Sequence, residues 1–520
     1  MPLVELLKRK AHITYQYATK ALWRVAACEE NQTAIALAGG LPPLVELLSD
    51  ANEITQQYAA AAIESLARDH LDNQVALMKG GAIIPLVTLL GTDSVETQEH
   101  SVGALLNIAS NDVESRDRVI FHLVEVLETR NASAQMKSAV ALAVLASRNA
   151  DNRMAITAHG AIQPLIRLMG DGKSARTDTP QERAAAVLCD LARGAENKET
   201  IVAEKGVPPL VAMLSCPSPE AQTHAAGALW HLALLEKNRT IIAGAGGIEP
   251  LVALLGSPME NAQMYSAGAL FHLASNGDNR VATVKAGAIP SLVRLIQSKL
   301  PDTREHAASV ISALAVSRGN NKKMIVQAGG IPALIALLSD TRVLTQRHAA
   351  CSLWGLTDGP DGIYDKQIIE YIGLPPLLHA LQRGNDQTCG FAAACLTNLC
   401  RDPDAKRTMI ELGASDALLE LARSPATWLR GQAIKIINLL GISIANLDHE
   451  PPPPWASQLF QKSGGNDGSP DRGKGKKTAA AHYEKERIPT SITAKQKYHF
   501  FSFQTNTYNG FRDEYWPPNI

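Results

Sequence analysis

The sequence predicts an all-α solenoid, and three observations carry that prediction. A short motif, clearest at Gly246-Gly247-Ile248-Glu249-Pro250-Leu251-Val252-Ala253-Leu254-Leu255, returns in near-copies along the chain. Its equivalent leucines are Leu3, Leu44, Leu86, Leu123, Leu165, Leu210, Leu251, Leu292, Leu334, Leu377 and Leu418, separated by 41, 42, 37, 42, 45, 41, 41, 42, 43 and 41 residues. Such a period belongs to helical arrays in which no unit buries its apolar face alone and stacked neighbours supply one continuous core. Finally, hydrophobic residues make up 46% of the 520 but aromatics only 5%. The core must therefore be filled by Ala, Leu, Ile and Val, which suits closely packed helices.

The stretch from Glu236 to Ala274 shows the unit in full. A short helix over Lys237 to Ala243 should stop where Gly246-Gly247 permits positive φ, and Pro250 suits the first turn of a second helix running through Leu255. After Gly256-Ser257-Pro258 a longer third helix reads Glu260 to Ala274, with Ala267, Leu270, Leu273 and Ala274 at the spacing of a buried stripe. Two breaks so close together force a sharp corner between the first and second helices.

Taken in order, the copies differ in informative ways. Met1 to Leu7 matches only the second half of a corner, so either the next helices cap this end or the sequence begins downstream of the true start. Ser115 to Leu127 has neither Gly nor Pro and follows the shortest interval, so its first helix is expected to be shortened or fused with the second. The longest interval holds its excess in Gly170 to Pro180, a polar loop expected to project as a tolerated insertion. Past Asn446 the period ends at Pro451-Pro452-Pro453-Pro454, followed by Gly/Ser-rich and basic stretches and a final segment containing Phe500, Phe501, Phe503, Tyr508, Phe511, Tyr515 and Trp516. The division is thus a solenoid over 1–446 and a mostly disordered Pro/Gly/Lys-rich tail over 447–520. The aromatic end reads equally as a short docking peptide or as sequence unrelated to the fold.

The run Ala225-Ala226-Gly227-Ala228-Leu229-Trp230-His231-Leu232-Ala233, then Asn238, then Ala245-Gly246-Gly247-Ile248 and Pro250-Leu251-Val252, resembles the armadillo repeat of β-catenin, importin-α and vacuole-membrane scaffold proteins. The resemblance covers about Met1 to Asn446. It implies a right-handed superhelix of about ten to eleven repeats with three helices each, whose long third helices line a concave groove. HEAT arrays, the structural alternative, use two helices and lack the Gly-then-Pro corner.

In the resembling proteins an Asn recurring on the third helix grips an extended partner, because one carboxamide offers a donor and an acceptor to any backbone. The matching positions here are Arg24, Ser65, Asn107, Val144, Asp190, His231, His272, Ala313, Gly355, Asn398 and Asn438. Asn107, Asn398 and Asn438 keep the Asn. The Trp that importins carry four residues earlier is replaced by Gly103, Ala394 and Ile434, which speaks against nuclear-signal recognition. Two helical turns before the ladder lie Tyr17, Tyr58, His100, Lys137, Arg183, His224, Tyr265, His306, His348 and Phe391. They read either as a polar, partly aromatic stripe for a partner peptide or helix, or as cover for the helix ends. Trp23, Trp230, Phe271 and Trp354, one residue before the ladder, share one repeat phase and read first as packing between repeats.

Arg24, Asn107, Asp190, His224, Trp230, His231, Tyr265, His272, Asn398 and Asn438 are therefore the candidate partner-binding residues. No phosphate loop, serine elbow or Cys–His pair rises above composition, and neither the histidines nor Cys389, Cys395 and Cys400 have metal-ligand spacing, so no catalysis, cofactor or metal is expected. With 50 basic and 51 acidic residues the chain has no global pull toward nucleic acid. Seven cysteines scattered in apolar runs fit a reducing compartment, and no run of apolar residues is long enough to span a bilayer. The function expected is a monomeric, cytoplasmic scaffold that binds proteins as extended peptides or helices, with a nuclear or peripheral membrane location left open. The alternatives are the substrate-recruiting part of a U-box ubiquitin ligase, whose U-box is absent from this sequence, or a scaffold at the vacuole membrane.

Overall fold

The computed structural model describes residues 2–7, 12–173, 175–177, 179–317, 320–359 and 362–442. Among them are 31 helices and no strands. They group into eleven repeats, the first of which contributes a second helix, Pro2–Leu7, and a third, His12–Val25. In repeat 7 the three helices are Glu236–Gly244, Ile248–Leu254 and Glu260–Leu273, within about a residue of the expected bounds. The expected tail 447–520, with its basic run and aromatic end, lies outside the described residues.

The corner of repeat 7 shows why Gly recurs there. Gly246 sits at φ +80, in the left-handed region, and its N–H reaches back to the Ala243 carbonyl at 2.9 Å while the Gly247 N–H reaches the Ile242 carbonyl at 3.0 Å. This pair of bonds is a Schellman closure, which satisfies carbonyls that the helix end would otherwise leave bare. A Cβ at Gly247 would be a tight fit, 3.0 Å from both Ile242 Cγ2 and the Ile242 carbonyl oxygen, so only Gly or a residue as small as the Ala82 and Ala161 of other corners suits this place. Two corners do the same without Gly: Lys205 at φ +61 and Ile372 at φ +56.

Third helices begin with a side-chain cap in several repeats. Asn52, Ser94, Asn131, Ser218 and Asn385 accept from the backbone N–H three residues on, at 2.8–3.2 Å. Their far ends are closed from the next repeat. Asn31, Asn73, Asn152, Asn197, Asn238, Asn279 and Asn321, each in a following first helix, donate Nδ2–H to the carbonyls of Val25, Leu66, Leu145, Leu191, Leu232, Leu273 and Leu314 at 2.8–3.3 Å. The carbonyls left without a donor at the end of one repeat are thus completed by its successor.

Leu44, Leu86, Leu123, Leu165, Leu210, Leu251, Leu292, Leu334 and Leu377 are all fully buried. They form a spine on which third helices pack in unbroken succession, whereas successive first helices barely touch. The third helices therefore form one continuous face of the stack. Repeat 4 departs as expected in one of the two ways allowed: Val113–Leu127 is a single 15-residue helix, fusing first and second. The loop after Met169 corrects the expectation of a projecting insertion. Gly172, at φ +72, lies so close to the Pro209 carbonyl that a Cβ would be 2.3 Å from it, and Ala175 is fully buried. The loop folds against the second helix of repeat 6, Val207–Met213, because a backbone without a side chain can approach that carbonyl.

Two stability measurements follow. Leu251→Ala should lower the unfolding free energy by about 2–5 kcal/mol in chemical denaturation, since it opens a cavity in the spine. Ile372→Gly should raise it by about 0.5–1 kcal/mol, because a β-branched residue held at positive φ is relieved and the Ile372 side chain, 70% exposed, loses little packing.

Candidate partner-binding groove

The candidate residues all sit on third helices, whose order along this face is His12–Val25, Glu53–Ala67, Val95–Ile108, Ala132–Arg148, Pro180–Leu191, Pro219–Ala233, Glu260–Leu273, Pro301–Ala315, Val343–Thr357, Asp386–Leu399 and Thr427–Leu440. Arg24 and Asn438, near the two ends, are exposed; Arg24 lies against the Trp23 ring, 5.7 Å from its centroid. Asn107, Asp190, His224, Tyr265 and Asn398 are half-buried, whereas Trp230, His231 and His272 are buried.

Two of the three ladder asparagines already use an amide within the fold. Asn107 Nδ2 donates to the Glu64 carbonyl of the preceding third helix at 2.9 Å, and Asn398 Nδ2 donates to Thr357 Oγ1 at 3.1 Å. Each clamps its repeat to the one before it. Asp190 pairs with Arg193 at 3.4 Å, and its carboxyl is raised above the usual range, by burial first and against the pull of Arg193 and Arg153.

The rings form a relay between repeats. Trp23 stacks on Tyr58 at 6.0 Å and meets His100 edge-on at 5.7 Å; Trp230 stacks on Tyr265 at 5.6 Å and meets His306 edge-on at 5.4 Å. Phe271 reaches His348 at 6.1 Å, and Trp354 and Trp428 both pack on Phe391, at 5.6 and 5.9 Å. Trp23, Trp230, Phe271 and Trp354 thus rest on residues two turns up the third helix of the next repeat or the one beyond, while Trp428 packs back on the repeat before it. Ring contacts at these distances contribute beyond area burial. Trp23, Trp230, Phe271 and Trp354 of the row before the ladder, and Tyr58, His100, Tyr265, His306, His348 and Phe391 of the row two turns earlier, are bound up in this packing.

The histidines of this region are held neutral. Burial pushes His231, His272 and His348 down to about 3 and His306 down to about 4, with positive charges nearby adding to the effect at His231, His272 and His348. His272 is 3% exposed, and neither ring nitrogen has a hydrogen-bond partner.

The sequence pattern of the armadillo/beta-catenin-like repeat matches residues 28–68, 72–110, 194–234, 236–275, 278–316 and 320–358. The chain is an armadillo-repeat protein. The unmatched stretch between the second and third matches holds the fused helix and the inserted loop, the two places where this armadillo array leaves the regular corner. A crystal structure of an engineered protein is similar to this chain at 28% identity, covering 85% of this chain and 98% of its own, with a TM-score of 0.55. A designed armadillo repeat protein aligns at 23% identity over 45% of this chain and 99% of its own, with a TM-score of 0.42. No curated protein sequence matches.

Sequence reasoning placed the ladder but missed the Asn caps, although an Asn at a spacing near 41 residues, each followed by Gln, Arg or Lys, was there to be read. It also missed His100 Nδ1 against Glu64 Oε2 at 2.7 Å and Arg342, which pairs with Asp302 and, at 3.1 Å, with Glu305. The neutral histidines set a pH dependence. Their folded values lie below the unfolded value near 6.5, so the stability they permit is complete above that pH and is lost as pH falls below it toward 3–4. Replacing His272 with Leu should leave the thermal midpoint at neutral pH unchanged or higher and make the acid decline shallower, as read by circular dichroism from pH 7 to about 4.

Proposed function

We propose that this armadillo array is a non-catalytic scaffold that holds partner polypeptides, as extended segments or helices, along the face of its third helices. The carrying observation is the run of eleven third helices on one continuous face, with Arg24, Asn107, Asp190, Tyr265, Asn398 and Asn438 at least half-open along it. Long grooves of this kind favour partners that present a regular backbone, since polar side chains repeating at fixed spacing can meet backbone groups repeating at their own. The buried rings and the clamps from Asn107 and Asn398 stiffen that face, which lowers the ordering cost of binding. No helix among the described residues is long and apolar enough to cross a membrane, so contact with a membrane through this region would be peripheral.

Site-specific photo-crosslinking tests the reading. A photoreactive residue at Tyr17 or Asn438, both exposed on third helices, should give discrete adducts with other polypeptides in lysate. The same residue at Leu37 or Met154, exposed on first helices, should not. Adducts from the first helices alone would remove the groove as the binding face.

A further inference from the structure

The residue after the capping Asn differs along the array while, in six of the seven cases, closing the same helix end; after Asn321, Lys322 reaches forward to the Asp358 carbonyl instead. In repeats 2 and 3 it is Gln: Gln32 Nε2 donates to the Ala26 carbonyl at 3.2 Å, and Gln74 Nε2 to the Ala67 carbonyl at 2.7 Å. In repeats 5 to 8 it is a cation. Arg153 donates to the Ala146 carbonyl at 2.9 Å, Lys198 to the Arg193 carbonyl at 3.1 Å, Arg239 to the Ala233 carbonyl at 3.0 Å and Arg280 to the Ala274 carbonyl at 2.8 Å. Closing the helix end does not require the charge, because neutral Gln closes it equally.

Among the described residues no ion pair takes up the charge of Arg153, Lys198, Arg239 or Arg280. A helix C-terminus carries about half a negative charge, so each full cation leaves roughly half a positive charge uncompensated. The hydrogen bonds of these four side chains go to backbone carbonyls and, for Arg239, also to Ser275 Oγ at 2.8 Å. Among the described residues the carboxylate that acts on Arg153 is Asp190, which it shares with Arg193. Lys198 and Arg239 are buried, while Arg153, Arg193 and Arg280 stay half-open. The group gathers at the ends of the third helices that carry the ladder: Arg193 pairs with ladder residue Asp190 at 3.4 Å, Arg153, Lys198 and Arg239 bond the carbonyls at those ends, and their charges bear on His231 and His272.

We propose that repeats 5 to 8 form a cationic seat in the groove for a carboxylate-rich segment of a partner polypeptide. Arg153 and Arg193 would meet its Asp or Glu side chains directly, and buried Lys198 and Arg239 would strengthen the field from behind, where low polarisability lengthens its reach. A nucleic-acid strand fits less well: Trp230 and its ring neighbours are packed against one another rather than open for base stacking. The proposal rests on the groove reading and narrows it to a charge class.

The test uses the full chain and three probes: a short fluorescein-labelled peptide of alternating Glu and Ala, its Lys/Ala counterpart, and a single-stranded oligothymidine. Anisotropy should show the Glu/Ala peptide bound, more tightly at low salt, with the Lys/Ala peptide unbound and the oligonucleotide a poor competitor. Arg153→Gln, Lys198→Gln and Arg239→Gln together reproduce the neutral caps of repeats 2 and 3, and should weaken the Glu/Ala peptide by about tenfold or more with an unchanged melting profile. Should that variant fold poorly, Arg153→Lys with Arg239→Lys keeps the charge and must keep the binding. Binding that survives loss of the charges, preference for the Lys/Ala peptide or the oligonucleotide, or no binding of the Glu/Ala peptide would each overturn the seat. In the last case, adducts still formed from Tyr17 and Asn438 would leave the groove itself standing.

Discussion

Every repeat of this array ends in carbonyls that it cannot satisfy alone. At seven junctions among the described residues the side chain of an Asn in the following first helix reaches back to one of them, and at six of these the next residue, Gln, Arg or Lys, reaches another. Apolar burial along the leucine spine supplies most of the driving force. It is tolerant of small rotations, however, whereas a hydrogen bond to a given carbonyl oxygen is not. The Asn contacts therefore fix how far each repeat turns on the last, and so fix the path of the third helices and the spacing of everything they display.

How much of this could be read from residues alone divides along the same line. The corner was legible because its chemistry is local: Gly246 for the left-handed turn, Gly247 for the close approach, Pro250 in a first helical turn. The fused helix over Val113–Leu127 was legible as the loss of those same residues. What depends on a neighbour about forty residues away was not. Ala175 and Gly172 look like any polar insertion until the carbonyl of Pro209 is placed beside them. Burial of His231 and His272 was equally hidden, since an imidazole on a ladder position reads as a polar offering to solvent unless the rings and cations of adjoining repeats are known to enclose it. Lys205 and Ile372 likewise take up a left-handed turn that their side chains disfavour, because the surrounding corner leaves no other path.

The face that results is uneven in character. Toward both ends it carries open polar groups such as Arg24 and Asn438; through the middle, rings and neutral histidines interlock and a cluster of cations gathers at the helix ends. A single polypeptide lying along it would meet different chemistry at each stage. Register along the groove can then be set by charge in the middle repeats while the flanking repeats add grip without much selection.

The single helix of repeat 4 changes the mechanics of the whole. In the other complete repeats a corner with a residue at positive φ, Gly or in two cases Lys205 and Ile372, separates the first helix from the second. Val113–Leu127 has no such joint, so this segment behaves as a stiff rod. A change in the angle between first and second helix, available at the corners of the other complete repeats, is closed to this one.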